Sequence, residues 1–370
     1  MSPVVRIAAV VLAALLLPAL AQGAPGRIVV PCKYDNIQSF QEGMALVKRG
    51  KLWGYVDKTG REVIPCKYDS YFTSFGITED LACLANENGF GFLTKTGKTA
   101  IPFVYDEAWP FAEGLAAVGR DWQWGFIDKA NRMVVPMKYD LVFPFAEGLA
   151  AVMLNDKWGF IDKTGREVVP RKYDEADSFS EGLAPVCLGD KWGFIDKTGR
   201  EVIPCTYDLV EEFHEGLAAV MLDKRLGYID KTGRVVAQPK YHYDFPGGKY
   251  VDSMAVVCLN GKWGFLDKQG REAVPLIYSK ADNFSEGLAC VELNGKWGFI
   301  DRTGQFVLPA RYEKAYSFHD GLAAVKVNGK WGYIDKTGAI VIAPAYDDVL
   351  SFAGGFAGVK LNGNWGFIAK

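Results

Sequence analysis

Three columns of side chains recur along the chain, and each has a chemistry attached to it. Asp57, Asp128, Asp162, Asp196, Asp230, Asp267, Asp301 and Asp335 open turn-like segments of the type Asp162-Lys163-Thr164-Gly165, and carboxylates at regular intervals are what a calcium ladder needs. Glu42, Glu113, Glu147, Glu181, Glu215 and Glu286 each precede a glycine and would supply paired carboxylates for general acid and base work. Trp53, Trp124, Trp158, Trp192, Trp263, Trp297, Trp331 and Trp365 also precede glycines, and in an exposed row they would stack on sugar rings. Catalysis and metal binding require one constellation in one perturbed environment, whereas a residue repeated in most copies answers a need of every copy. Leu226 stands in the tryptophan column and offers no ring to stack. The tryptophans are therefore expected as structural anchors, the aspartates as turn formers and the glutamates as structural groups, with no catalytic residue, no metal site and no cofactor. No Cys-x-x-Cys occurs, the only histidines are His214, His242 and His319, and no Ser-His-Asp arrangement, nucleophile elbow or phosphate loop is legible.

These columns belong to one unit written ten times from about residue 27 onward. An aromatic or apolar residue followed by glycine falls at the eight tryptophans, at Phe90 and at Leu226, in steps of 34 residues except for two of 37. In the copy beginning at Gly148, residues 149–154 are β-branched or apolar and residues 157–162 return. Between them Asn155-Asp156 is a two-residue turn that becomes Asn-Gly at Asn260, Asn294, Asn328 and Asn362, pairs that tolerate the positive φ of a tight hairpin. Residues 162–165 make a second turn, residues 167–169 a third strand, and Pro170, which has no amide to donate, is expected to end it.

Each unit thus reads as a three-stranded antiparallel β-meander plus a connecting loop. Along its middle strand Trp158 and Phe160 point to one face and Ile161 to the other. Both faces are apolar, so each sheet must be sandwiched between its neighbours. The class is all-β, a tandem array of ten ~34-residue repeats. The array opens on a third strand (28–30) and closes on a middle strand (364–368), so the first fragment can complete the last sheet of a closed propeller-like toroid. The phase can equally be accidental, and an open β-repeat superhelix stands first of the two, since 34 residues is short for a propeller blade of four strands.

The core Lys157-Trp-Gly-Phe-Ile-Asp-Lys-Thr-Gly165, followed by Pro170, Tyr173-Asp174 and a Glu-Gly-Leu-Ala segment, resembles the WG-containing (KWG) repeat of bacterial proteins over about residues 27–370. Phe90 and Leu226 depart from the pattern at the tryptophan, Thr94 and Ala369 at the turn aspartate, and Ser279 and Glu313 at the aspartate after tyrosine. The resemblance implies a β-repeat scaffold in envelope or interaction roles, mostly without a defined activity, and supplies no catalytic residue to carry over.

Residues 1–21 hold Arg6, an apolar run over 7–17, Pro18, and Ala19 and Ala21 at small-residue positions, the pattern of a cleaved signal peptide. Residues 22–26 form a short linker and 27–370 a single repeat domain. The apolar run is shorter than a membrane span, so the mature chain is expected without a transmembrane segment, exported to a bacterial periplasm, cell surface or medium. Seven cysteines (Cys32, Cys66, Cys83, Cys187, Cys205, Cys258, Cys290) suit that setting for disulfides. Their number is odd, however, and they sit at repeat positions elsewhere held by Met137, Arg171 or Ala151, which reads as small hydrophobes. A Cys32–Cys66 bridge between neighbouring repeats stays open. With 49% hydrophobic residues the chain should fold, and a net charge of −2 without a basic run excludes nucleic acid as a partner.

Function is sought where the copies differ, between the Tyr-Asp and Gly-Leu-Ala segments, which also carry both insertions. Candidate binding residues there are Tyr71, Phe72, Trp109, Phe143, Glu211, Glu212, Tyr243 and Tyr316, joined by Trp122, an extra aromatic in an otherwise polar turn. The expectation is an exported, non-enzymatic scaffold binding a protein or cell-envelope component through these loops. The alternative is a glycan or peptidoglycan module using loop aromatics, with a carboxylate hydrolase ranked third.

Overall fold

A computed structural model describes residues 26–69, 76–242 and 248–370, among which every regular element is a β-strand. The leader region and the candidates Tyr71, Phe72 and Tyr243 lie outside the described residues. The strands form ten four-stranded antiparallel sheets, here called blades 1 to 10 in chain order from residue 36. Blade 4 (141–173) is representative. Leu149–Leu154 and Lys157–Asp162 form the expected hairpin, and both turn residues, Asn155 and Asp156, adopt positive φ (53° and 57°). Two features differ from the three-stranded expectation. The two-residue strand Leu141–Val142 pairs with the first hairpin strand as a fourth member of the sheet. Pro170 also does not end its strand, which runs Glu167–Tyr173. The pairing Trp158↔Tyr173 shifts register before Phe160↔Val169, and the proline sits in that irregularity, where no ladder bond asks for its amide.

The register shift also explains the glycine that follows every anchor. A Cβ on Gly159 would lie 2.5 Å from the carbonyl oxygen of Val169 and 2.7 Å from the amide nitrogen of Arg171. The last strand of the blade crosses directly over the bare Cα, a close approach that only glycine permits.

Ten hydrophobic clusters lie one at each blade junction. Leu149, Ala151, Trp158, Phe160 and Val169 of blade 4 meet Ala176, Phe179, Val186 and Ile195 of blade 5, while Ala150, Val152 and Ile161 turn to blade 3. This is the strand alternation expected from the sequence. Phe160 and Phe179 touch edge to face at 4.9 Å, as Phe126–Phe145 and Phe265–Phe284 do at 4.8 Å at their own junctions. The array is closed. Arg27–Tyr34 pairs antiparallel with Asn364–Ala369 as the fourth strand of blade 10. Val30, Tyr34 and Phe367 then pack on Ile37, Ala45, Val47 and Val56 of blade 1. The molecule is a ten-bladed β-propeller, and the short fourth strand is what makes 34 residues enough for a blade.

Because consecutive strands are antiparallel, each blade shows its hairpin tip and its link to the next blade on one rim of the ring. Its Asp-Lys-Thr-Gly turn and the loop joining its first two strands lie on the other rim.

Candidate functional site

The repeated carboxylates are all engaged in holding the ring. Asp162 Oδ1 accepts from the Thr164 amide (2.9 Å), the Thr164 hydroxyl (2.6 Å) and the Arg166 amide (3.1 Å), and Oδ2 accepts from Arg166 Nε (3.0 Å). The Thr164 hydroxyl is the main reason its carboxyl falls to about 2, and Asp196 and Asp230 are held at about 2 in the same way by Thr198 and Thr232. Where Thr94 replaces the aspartate, its hydroxyl still accepts from the Lys98 amide at 3.2 Å. Among the described residues no group of three or more histidine, cysteine or acidic side chains is placed to hold a metal ion.

The glutamates before glycine join neighbouring blades. Glu147 accepts from the amide of Gly182 (2.9 Å) and pairs with Lys197 (3.1 Å), both in the next blade. Glu113 does the same with Gly148 and Lys163, Glu181 with Gly216 and Lys231, and Glu286 with Gly321 and Lys336. Glu79, Asp252 and Asp320 also belong to this belt, gripping Gly114, Gly287 and Gly355. The sequence pattern had hidden them, since two lie beside the insertions and two are aspartates. At the tenth junction Gly354 takes the glutamate's place, and Lys58, with no such carboxylate to meet, lies over the Phe356 ring at 5.4 Å.

On the opposite rim the aspartate after tyrosine reaches the next hairpin tip. Asp140 accepts from the Asn155 amide and Asp174 from that of Gly189, each at 2.8 Å. Glu313, a departure from the pattern, reaches the Gly329 amide at 3.1 Å with its longer arm.

The tryptophan column is packed between blades. Trp124, Trp158, Trp297 and Trp331 are buried, Trp53, Trp192, Trp263 and Trp365 half-buried, and Leu226 fills the same place at 1% exposure. All seven cysteines are free thiols. Cys66 and Cys205 each point at a carbonyl of their own blade, those of Val47 and Val186, and burial pushes the Cys83 thiol up to about 12.

The loop candidates are not gathered into one patch. Trp109, Phe143, Glu211 and Tyr316 occupy a single repeat position, just beyond the first strand of blades 3, 4, 6 and 9, where each amide donates to a carbonyl of the second strand. Phe143 stacks on Trp158 at 5.1 Å, Tyr316 stacks on Trp331 at 4.7 Å, and Trp109 packs against the blade 3–4 core, so these rings are half-buried parts of the blade. Glu212 lies 3.8 Å from Lys249. Trp122 differs from all of them, standing 90% exposed at the hairpin tip of blade 3. On the other rim, loops of blades 8 and 9 border a hollow of about 330 Å³ lined by Asp282, Asn283, Ser285, Ser317 and His319, with the thiol of Cys290 within 3.7 Å of the Ser317 hydroxyl. Sequence reasoning passed over this group, whose signal is weak because blade 5 carries nearly the same run, Asp177-Ser178-Phe179-Ser180.

No curated protein sequence matches the chain. Among solved structures, a eukaryotic initiation factor aligns at 12% identity over 89% of this chain and 98% of its own, with a TM-score of 0.51. PorZ, a surface component of the type-IX secretion system of Porphyromonas gingivalis, aligns at 11% identity over 88% of this chain and 56% of its own (TM-score 0.33). The extracellular domain of a one-component system from B. thetaiotaomicron aligns at 10% over 93% and 60% (TM-score 0.29). At such identities the first of these shares a fold and nothing further is read from the others. The WG containing repeat model matches ten times, over 26–53, 53–84, 90–121, 124–158, 158–192, 192–225, 227–263, 263–297, 297–331 and 331–365. With ten matched repeats spanning the ring and a Trp-Gly pair at the heart of eight of its blades, the chain belongs to the WG-containing repeat family.

Proposed function

We propose that this protein is an exported, non-enzymatic propeller scaffold that binds a protein or another cell-envelope component through the connectors on its rims. The observation that carries the reading is the division of labour among side chains. The carboxylate columns are consumed by turns and blade-to-blade contacts, and the side chains that vary between copies, such as Asp282-Asn283 against Phe143-Pro144, sit in the connectors. A rigid ring with varied rims suits recognition spread over several blades. Export is supported by the leader-like residues 1–21.

The test is retention of defined envelope fractions on immobilised protein. It is compared with a variant in which both insertions, near residues 70–75 and 243–247, are trimmed to the 34-residue pattern, together with Asp282→Ala and Asn283→Ala. Loss of a specific retained component, with the thermal midpoint unchanged, is expected. Equal retention by the trimmed ring, or substrate turnover abolished by one carboxylate substitution, would overturn the proposal.

A further inference from the structure

Opposite each Trp-Gly anchor, across the hairpin, stands one residue of the preceding strand. It is Lys48 for Trp53, Met153 for Trp158, Cys187 for Trp192, Lys326 for Trp331 and Lys360 for Trp365. Several of these cover the indole, and the ammonium groups of Lys48, Lys326 and Lys360 lie over their rings at 5.4 to 6.0 Å. In blade 3 the partner of Trp124 is Gly119, whose missing side chain leaves a gap beside the indole, itself only 7% exposed. A Cβ there would meet ring atoms of Trp124 at 3.2 to 3.5 Å. The same blade carries Trp122, 90% exposed and held at φ 62° in the turn between the two strands. Around the gap lies a hollow of about 200 Å³, floored by Gly119 and Trp124, flanked by Trp122 and rimmed by Asp106, Glu107, Arg120 and Asp121.

We propose that this hollow binds one ring of a neutral pyranoside glycan, with the apolar face of the sugar on the Trp122 indole and its hydroxyls on the rim. The volume is smaller than the several hundred cubic ångströms of a drug-sized pocket, which fits a single ring. The rim offers both bond types a hydroxyl needs. The Glu107 and Asp121 carboxylates accept, and the Arg120 guanidinium, anchored by one N–H on the Val104 carbonyl at 2.6 Å, keeps further donors. Acidic rim groups repel uronic acids and anionic lipid headgroups alike. A protein hot spot would set its tryptophan within a wider apolar patch, whereas the neighbouring tips are Glu87-Asn88 and Asn155-Asp156. The inference names a ligand for one place on the scaffold proposed above and stands or falls apart from that reading.

Two substitutions return blade 3 to the sequence of its neighbours and so preserve the fold. Gly119→Met copies Met153 and Met221, and Trp122→Asp copies Asp156. Cellotetraose and N,N′,N″-triacetylchitotriose are titrated into the full-length mature ring, with tryptophan fluorescence and isothermal calorimetry as readouts. At least one probe is expected to bind with a millimolar or tighter dissociation constant, weakened tenfold or more by each substitution, while Trp109→Phe leaves it unchanged. Absence of binding by both probes, or equal binding by Gly119→Met, would overturn the proposal. So would a Trp122-dependent protein partner that neither sugar displaces, which would point to a peptide site instead. The envelope retention experiment is run on rings that carry Trp122→Asp, so a glycan held at this hollow does not enter its result.

Discussion

Adding one methyl group at Gly193 should damage the ring more than removing most of the indole beside it at Trp192. In Gly193→Ala the new Cβ would lie 2.4 Å from the carbonyl oxygen of Ile203 and 2.7 Å from the amide nitrogen of Cys205, where ordinary contact begins at 3.4 Å. Both are backbone atoms of Glu201–Tyr207, so no side chain can swing aside and the strand itself must retreat by roughly an ångström. Overpacking of this kind costs about 1–3 kcal/mol, and each ladder bond lost as the strand lifts from Phe194 adds about 1 kcal/mol, for a total of about 2–4 kcal/mol. Trp192→Leu removes ring atoms from a half-buried site that tolerates leucine in blade 6, and should cost about 1–2 kcal/mol. Denaturant midpoints followed by circular dichroism rank the two, and hydrogen exchange at residues 203–207 shows whether the crossing strand has loosened. A Gly193→Ala ring within about 0.5 kcal/mol of wild type, or one more stable than Trp192→Leu, would refute the close-approach argument.

Three other outcomes follow from the same geometry. The ordinary value of the Asp162, Asp196 and Asp230 carboxyls is 3.8 and the folded value is about 2, so their contribution is present above 3.8 and lost as pH falls through 2. Thermal midpoints should drop across that window, and Asp162→Asn should flatten the slope, whereas an unchanged slope would remove these turns from the acid response. Burial raises the Cys83 thiol to about 12 and pushes Cys290 well up, so a thiol reagent at pH 8 should leave both untouched in the native ring, and prompt labelling would contradict their packing. Gly354→Glu should supply the missing belt contact to the Gly43 amide and Lys58. Gly354 already holds φ 59°, close to the 53° of Glu147, and the gain expected is about 0.5 kcal/mol, abolished by Lys58→Ala; equal midpoints in all three proteins would sink the assignment.

Much of this fold was legible because its signals are local. Asn155-Asp156 and the alternation of Trp158, Phe160 and Ile161 each carry their meaning within a few residues, while the phase of the two halves of blade 10 left a closed ring and an open array both standing. The strand Leu141–Val142 was not legible, since two residues hold no period, and it forms only because the chain passes along the edge of the hairpin it joins. Pro170 misled for a related reason. A proline ends a strand in a regular ladder, and the irregularity that accommodates it exists only once the last strand has crossed Gly159. The glutamate belt needed the blade-to-blade register before Glu147 could be linked with Gly182 and Lys197, residues 35 and 50 positions away. Among the site candidates, Phe143 and Tyr316 were read as free aromatics because sequence does not show that the indole of their own blade lies under them. The hollow of blade 3 was half visible, in Trp122. Gly119 had no meaning until cross-strand pairing set it opposite Trp124.

The Trp-Gly pair thus divides into two unequal residues. All ten blades keep the glycine and two dispense with the tryptophan, at Phe90 and Leu226. Backbone contact admits no substitute, whereas a large side chain between two sheets can be exchanged for another if its neighbours adjust. The same logic separates structure from recognition across the ring. A contact made by backbone or by a carboxylate reaching backbone recurs from blade to blade, because every junction meets the same geometry. A change that recurs nowhere, such as Gly119 with Trp122, or the single amide side chain of Asn283, must be tolerated by the ring without being required by it. The missing glutamate at Gly354 is a third such change, and it falls in blade 10, the one blade assembled from two separate stretches of the chain, 27–34 and 348–369. There Tyr34 donates to Glu62 at 2.7 Å, with Lys33 and Arg49 on the same carboxylate. The closing strand is held to blade 10 by its ladder with Asn364–Ala369 and to blade 1 by burial and this cluster, a form of which recurs where Lys240 and Tyr241 meet Glu272, so the ring is completed by backbone pairing where every other blade has a peptide connection between its third and fourth strands.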